Sequence, residues 1–517
     1  MRRIEGSFYT NAYWAIFTRG PFNSAPSLLT SMIPEIAKSI FPHRRFHLTV
    51  FHAWWTVVEV RDTRLRNPGH ACCSQAIVFR LSKLSKIQEF GSSFRREVLA
   101  GLTTFATMGY VLAVNPMLLA PSGMDAEALV TATAVTAIMG CLLMGLFANL
   151  PIALACGMGS NAFFSYGICL GMGVPWQAAL ALVLISGCLF LVLSLTGLRT
   201  LITEAFPLSV KVGIQCGLGA FIAFIGLQTS GIIVANEATL VTLAPIEPAT
   251  LLAIGGIFLS IALSVRRVTG ALLISIFVIT FLGLFIPSGE NTITRISGLP
   301  FGSPASLAPL FLQLDFNYVF SNFFLLLPAL LYLFTGDLFS TTATLIGTTR
   351  RAGLLDKEGQ IPNADQAFAA DATGTILGAC CGNSSVTSYV ESAAGVEAGG
   401  RTGWVPLTVA ACFGLSLLAT PLILAIPPQA TASALVVVGL LLLQGVKQLD
   451  MNDLYESAPV ALCLIFSFAT FNLVIGMAAA FFTFLITRIV TQSRRNEIKP
   501  LTWLICAMFV MYFVLSP

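Results

Sequence analysis

Apolar runs of about 17–25 residues, each long enough to cross a hydrocarbon layer as a helix, follow one another from Val98 to the end of this 517-residue chain. They lie at approximately 98–119, 127–148, 152–170, 176–196, 211–233, 248–264, 270–286, 317–347, 368–381, 384–399, 404–426, 431–447, 458–490 and 501–516. The 458–490 run is long enough for two short helices, so the count is roughly thirteen to fifteen spans. Lipid offers no partner to a free backbone N–H or C=O, which restricts spanning structures to helices and closed barrels. Continuous runs of this length predict an all-α polytopic membrane protein, multi-pass in the cell (plasma or inner) membrane. The composition agrees: 56% of residues are hydrophobic and 10% charged, against roughly 25% charged in a soluble domain. A net charge of +4 gives no case for nucleic acid.

Residues 1–96 differ from the rest. They hold half of the 28 Lys and Arg, three of the six Trp and all four His (His43, His47, His52, His70). No run there reaches spanning length and no secretory cleavage pattern is evident, so this part is expected to be a basic, poorly ordered extension ahead of a membrane domain at 97–517. The stretch Phe79-Arg80-Leu81-Ser82-Lys83-Leu84 has the pattern of an amphipathic lead-in. Further basic clusters stand at Arg95-Arg96, Arg199, Arg266-Arg267, Arg350-Arg351 and Arg401. With the start of the body inside, all fall on cytoplasmic connections, as the positive-inside bias requires. Arg488, Arg494, Arg495 and Lys499 obey it only if the 458–490 run crosses twice or folds back.

A carboxylate at membrane depth costs several kcal/mol unless it faces a cavity or a partner, and so marks a substrate or proton path. Asp337 and Glu391 are two such groups. On a helix, Asp337, Ser340, Thr341 and Thr344 share a face at i, i+3, i+4 and i+7. Read as a helix, the second segment groups Ser384, Thr387, Ser388, Glu391 and Gly395. Ser384 and Ser385 would then stand at its N-terminus, where unpaired N–H groups point at a ligand. An ionised carboxylate only accepts hydrogen bonds, which suits heterocycle N–H donors. Hydroxyl stripes also serve as interhelical glue; the ionisable groups favour a site. Because the body lacks histidine, any coupled proton must ride on a carboxylate. Asp371 reads first as an N-cap. The twelve cysteines show no CxxC, and those of the membrane body have no neighbouring His, so neither metal nor cofactor is expected.

Ala155-Cys156-Gly157-Met158-Gly159-Ser160-Asn161 is similar to Cys380-Cys381-Gly382-Asn383-Ser384-Ser385 at an offset of 381 − 156 = 225 residues. Short, Gly-interrupted segments in matching positions of two halves point to an inverted-repeat transporter site. Asn161, which closes the first copy, carries both donors and acceptors and can read a heterocycle edge or brace a carboxylate.

Several blocks carry a resemblance to a known family. They are Arg96-Glu97-Val98-Leu99-Ala100-Gly101-Leu102-Thr103-Thr104-Phe105, Gly157-Met158-Gly159-Ser160-Asn161-Ala162-Phe163-Phe164 and Asp337-Leu338-Phe339. With them go Thr344-Leu345-Ile346-Gly347, Arg351-Ala352-Gly353-Leu354-Leu355, Ser385 through Gly395, and Gly399-Gly400-Arg401-Thr402-Gly403. From about Arg95 to its end the chain resembles the nucleobase:cation symporter-2 superfamily, and within it the adenine/guanine/hypoxanthine permeases. The resemblance implies fourteen helices in two inverted repeats of seven, with the third and tenth broken around the substrate. It implies a core domain (spans within 97–196 and 317–426) that slides as an elevator against a gate domain (within 205–290 and 430–517), and a homodimer. It implies proton symport of a purine base and assigns binding to the positions of Asn161 and Glu391 and to a carboxylate on the eighth helix. The site expected here comprises Glu391, Asp337, Asn161, Ser340, Thr341, Ser384, Ser385, Thr387, Ser160 and Gly159, with Asp337 and Glu391 coupling the proton.

The chain departs from the pattern at Ser340, where many relatives carry a second Asp, at Ser160 for a usual Leu and at Cys156 for a usual Pro. Other classes stay in view: a uracil or xanthine permease, an anion (sulfate- or bicarbonate-type) transporter of the same architecture, and an intramembrane enzyme. Two site carboxylates oppose an anion, and no catalytic signature surrounds either.

Overall fold

The computed structural model describes residues 87–196, 206–288, 291–296, 302–356, 360–491 and 497–515. Residues 1–86 of the basic extension, with the amphipathic lead-in, lie outside the described residues. Within them the chain is almost wholly helical. Among the described residues nine helices are long and apolar enough to cross a membrane, including Phe94–Ser122, Ala126–Ala148, Trp176–Thr196, Leu208–Thr229 and Phe323–Ala352. Three shorter apolar helices, Ala271–Gly283, Leu454–Ala469 and Pro500–Leu515, join them. The expected 458–490 run is two helices, Leu454–Ala469 and Leu473–Val490, separated at Phe471, whose φ is +50°. That break meets the condition under which Arg488 falls on the side of the other basic connections.

Helices from the two ends of the sequence interleave. Ala364–Cys380 packs on Trp176–Thr196 and Ala126–Leu143, while Trp404–Ser416 packs on Phe94–Met108 and Ala126–Leu143. A second set joins Leu208–Thr229 to Pro428–Leu443, Leu454–Ala469 and Leu473–Val490. Without a hydrophobic force between helices in lipid, close approach depends on small residues. Gly219 and Gly439 supply it between Leu208–Thr229 and Pro428–Leu443: a Cβ on Gly219 would lie 2.7 Å from the Gly439 carbonyl. Gly101 plays the same part, its Cβ position 2.8 Å from the Val405 carbonyl.

Two of the expected spans, 152–170 and 384–399, are not continuous helices. Leu154–Cys156 and Val386–Ser388 are extended and pair antiparallel, Leu154 with Ser388, Ala155 with Thr387 and Cys156 with Val386. Gly157 N–H to Ser385 C=O (2.9 Å) and Tyr389 N–H to Ala153 C=O (3.0 Å) lengthen the ladder at both ends. Every strand residue is buried. The ladder therefore satisfies backbone groups that have no helical partner and no water. Each strand leads into a short helix, Met158–Ala162 and Ser392–Glu397.

Candidate functional site

The second strand owes its position to the way the preceding helix stops. Ala364–Cys380 ends with Gly382 at φ +81°, Gly382 N–H bonding Ala379 C=O and Asn383 N–H bonding Gly378 C=O (2.8 Å). This is a Schellman ending, and glycine suits its left-handed residue. Here the space is also closed, because a Cβ on Gly382 would lie 3.0 Å from the Leu310 carbonyl. The chain thus leaves the helix extended. Ser384 and Ser385 enter the strand and do not sit at a helix N-terminus, which corrects the helical face expected over 384–395. The 225-residue repeat is corrected with it. Gly157 precedes a helix and follows a strand, whereas Gly382 follows a helix and precedes a strand. The structural correspondence is between the strands, a few residues away from the motif match.

On the Phe323–Ala352 helix, Asp337, Thr341 and Thr344 are buried as the spacing predicts. Ser340 is exposed, on a stripe with Ala343 and Gly347, and its hydroxyl lies 3.5 Å from Thr387 Oγ1. Thr375 Oγ1 lies 2.9 Å from Asp337 Oδ2 and 2.8 Å from Val386 C=O, the two acceptors sharing its single proton, and it accepts from Val386 N–H (3.1 Å). One threonine therefore ties this carboxylate to the strand.

A third carboxylate belongs to the same cluster. Asp371 is not an N-cap but the middle of the Ala364–Cys380 helix, fully buried. It accepts from Thr341 Oγ1 at 2.8 Å and from Ser388 Oγ at 2.9 Å. Thr341 further meets Thr387 Oγ1 at 3.0 Å. The sequence signal was present: Asp371 and Thr375 are i and i+4 on one helix, but starting that span at 368 made Asp371 look terminal. The hydrogen bonds tying these two carboxylates come from hydroxyls, so the acidic oxygens are held without a compensating cation in those bonds.

Glu391 stands apart, at the turn into Ser392–Glu397 and only half-buried. Its Oε1 accepts from Tyr110 Oη at 2.9 Å, and its carbonyl receives a long 3.4 Å bond from Thr107. The short helix is held against Phe94–Met108: a Cβ on Gly395 would come within 2.6 Å of the Ala100 carbonyl. At the far end, buried Glu97 accepts from Arg401 N–H (3.0 Å), Thr402 N–H (3.1 Å) and Thr402 Oγ1 (2.8 Å). Glu97 and Tyr110, neither singled out from sequence as site residues, bracket the segment that carries Glu391.

Asn161 is buried on Met158–Ala162 and donates Nδ2 to Asn115 Oδ1. Asn115 reaches Asn383, and Asn383 reaches Ser384 N–H and Thr136. The strands bring Asn161 near Ser385 through the Gly157–Ser385 bond, with Thr387 and Ser160 also bordering Gly157. Gly159 faces the second helix set, its Cβ position pressed on Leu218. Among the described residues, Asn161 Oδ1, Asp337 Oδ1, Thr344 Oγ1 and Ser385 Oγ are buried without a hydrogen-bond partner. Orphaned polar atoms of this kind are rare in native interiors and call for a functional account. The site thus offers mainly acceptors, set around two paired antiparallel strands.

Comparison with known proteins agrees with that architecture. The sequence model of the permease family matches residues 95–469. The Methanocaldococcus jannaschii protein MJ0326 is 45% identical over 438 residues, covering 84% of this chain and 98% of that one. The guanine/hypoxanthine permease PbuG of Bacillus subtilis is 38% identical (83% and 98% covered), and the adenine permease AdeQ of Escherichia coli 35% (84% and 96%). Among solved structures, the transmembrane domain of a cyanobacterium bicarbonate transporter, BicA, matches with a TM-score of 0.54 at 17% identity, covering 75% of this chain and 97% of that one. SLC26A9 matches at 0.55 and 15%, covering 81% and 69%. At such identities these two establish the fold alone. The family match and the coverage of the relatives establish more: the chain is a membrane permease, not an enzyme, and belongs to the nucleobase:cation symporter-2 family, in its adenine/guanine/hypoxanthine branch.

Proposed function

We propose that the protein imports purine nucleobases (adenine, guanine or hypoxanthine) across the cell membrane by proton symport. The observation that carries this reading is the set of acceptors along two paired strands, Asp337, Asn161 and Ser385 beside them and Glu391 at the turn after the second, with the bonds to the carboxylates supplied by hydroxyls. Such a set suits the N–H groups of a purine, which carboxylate and carbonyl oxygens accept. The printed names of the adenine and guanine/hypoxanthine relatives support the same substrate class. Glu391 accepts base N–H groups and is oriented by Tyr110. Asp337 carries the coupling proton, since no histidine lies in the body; Asp371 backs it through Thr341 and Ser388. Gly159, Ser160, Thr341, Ser384, Ser385 and Thr387 line the site, and Ser340 is a neutral contact at its open edge.

In this reading the body forms fourteen helices as two inverted repeats of seven, with the third and tenth broken at the strand pair. The helices around Asp337 form a core domain that moves as an elevator against a gate domain built on Leu208–Thr229 and Pro428–Leu443, and two copies pair as a homodimer. The likeness to a bicarbonate transporter raises an anion as a second reading. The carboxylates oppose it, because an anion site favours Arg, Lys or bare N–H groups. Uptake of radiolabelled adenine, guanine, hypoxanthine, xanthine and uracil into a host lacking nucleobase permeases, with and without a protonophore, tests the proposal. Purine uptake that collapses with the protonophore is expected; protonophore-resistant uptake would remove proton symport, and no uptake would remove the substrate assignment.

A further inference from the structure

Three buried carboxamides, Asn383, Asn115 and Asn161, form one line from the second half of the chain to the first. Its polarity follows from groups that cannot reverse. The backbone N–H of Ser384 meets Asn383 at 3.0 Å. An N–H only donates, so the atom it meets is the oxygen. Asn383 Nδ2 then faces Thr136 Oγ1 at 3.2 Å, and that hydroxyl gives its own proton to the Ala132 carbonyl (2.8 Å).

Asn383 Oδ1 also faces the Asn115 amide at 3.1 Å, which requires nitrogen there. The same Asn115 nitrogen meets Thr133 Oγ1 at 2.6 Å, and Thr133 has committed its proton to the Leu129 carbonyl (2.6 Å). Two fixed acceptors leave Asn115 a single orientation, with its oxygen toward Asn161. Asn161 answers with Nδ2, and its Oδ1 remains buried with no partner among the described residues.

We propose that Asn383 and Asn115 are positioning residues that fix the amide of Asn161, so that it offers the substrate a carbonyl oxygen and not its NH2. An asparagine is otherwise ambivalent, able to meet a donor or an acceptor by a half-turn. Locked this way, it selects a base edge that bears an N–H at that point and rejects one that lacks it, because the buried oxygen would then stay unpaired. The inference rests on the nucleobase reading above and specifies how one contact of that site discriminates.

The experiment is a competition panel against uptake of a labelled purine that the wild type carries. The inhibitors are purines in which one N–H at a time is replaced by N–CH3, read as ratios of inhibition constants within each variant, which surface abundance does not affect. Besides the N–H groups that Glu391 accepts, the wild type is expected to show one position where losing the N–H weakens inhibition about tenfold, the scale of one buried hydrogen bond. Asn115→Ser puts a hydroxyl that can donate or accept beside Asn161, so the penalty at that position should shrink severalfold while the other ratios stay. Asn115→Asp with its carboxyl protonated donates toward Asn383 in place of the NH2, keeps its carbonyl oxygen toward Asn161 and should retain the wild-type pattern. If Asn115→Ser does not reach the membrane, Asn383→Ser removes one of the two acceptors that orient Asn115 and should shrink the penalty less, because Thr133 still faces the Asn115 amide. Wild-type ratios in both serine variants would overturn the proposal, as would wild-type ratios in Asn161→Leu, since Asn161 would then not touch the base. A wild type that carries no nucleobase would instead overturn the function proposed above.

Discussion

The two strands at the centre, Leu154–Cys156 and Val386–Ser388, share a backbone plan and divide the chemistry. Each is extended, buried and followed by a short helix. The first presents Leu, Ala and Cys and leads to the carboxamide of Asn161. The second presents Val, Thr and Ser, leads to Glu391, and is laced by Thr375, Thr341 and Ser388 to Asp337 and Asp371. Repetition of a fold element thus constrains the main chain, which must find its hydrogen bonds in lipid, but leaves the side chains free to diverge. In this protein the neutral, orienting contacts lie on the first crossing and the ionisable ones on the second.

The largest effect expected from this division is at Glu391. Glu391→Gln keeps the shape but removes a charge-assisted acceptor, and uptake at low substrate concentration should fall about 100-fold, as for other polar groups built to hold a ligand. Its counterpart on the first crossing, Asn161→Ala, should cost about tenfold. Equal losses measured as kcat/KM for uptake would end the claim that the crossings differ. Asp337→Asn separates a second property. It should retain purine exchange but lose the protonophore-sensitive component of uptake, and full proton-coupled accumulation by this variant would exclude Asp337 as the coupling group.

A structural effect comes next. Thr375→Val removes the hydroxyl that serves Asp337 and both polar groups of Val386, leaving buried groups unpaired at about 1–3 kcal/mol. The apparent melting temperature of the purified protein should drop accordingly. Thr136→Val, beside the first strand, removes a hydroxyl whose proton goes to its own helix and which accepts a single Asn383 N–H, so it should cost less than Thr375→Val, about 1 kcal/mol. A larger drop for Thr136→Val would reverse the assignment of structural weight to the second crossing.

How much of this was legible in the sequence follows from which interactions are local. Apolar length located most of the helices, and the i, i+4 spacing placed Asp337 and Thr341 together, because a helix fixes its own neighbours, whereas Ser340 at i+3, expected on the same face, is exposed. The paired strands were not legible from their own residues. Val386-Thr387-Ser388 fits a helix face as well as a strand, and the choice was made by Gly382-Asn383, a helix ending that was taken for a repeat of a helix beginning. Asp371 was missed for a related reason: its partners Thr341 and Ser388 lie 30 and 17 residues away, and no local pattern announces them. The Asn383–Asn115–Asn161 line spans both halves and was beyond any window reading.

The smallest expected effect concerns Ser340. Ser340 and Thr341 are neighbours on one helix, yet only Thr341 is buried and donates to Asp371 at 2.8 Å. Ser340 is exposed, and its hydroxyl meets Thr387 at 3.5 Å, too long for a strong hydrogen bond. Thr341→Val should therefore reduce uptake about tenfold, whereas Ser340→Ala should change it by less than about twofold, the scale of an exposed surface substitution. If instead Ser340→Ala matched Thr341→Val in its loss of uptake, the hydroxyl at 340 would have to be a substrate ligand. The division drawn here, with binding held by the buried carboxylates and Ser340 at the open edge, would then have to be redrawn around that helix face.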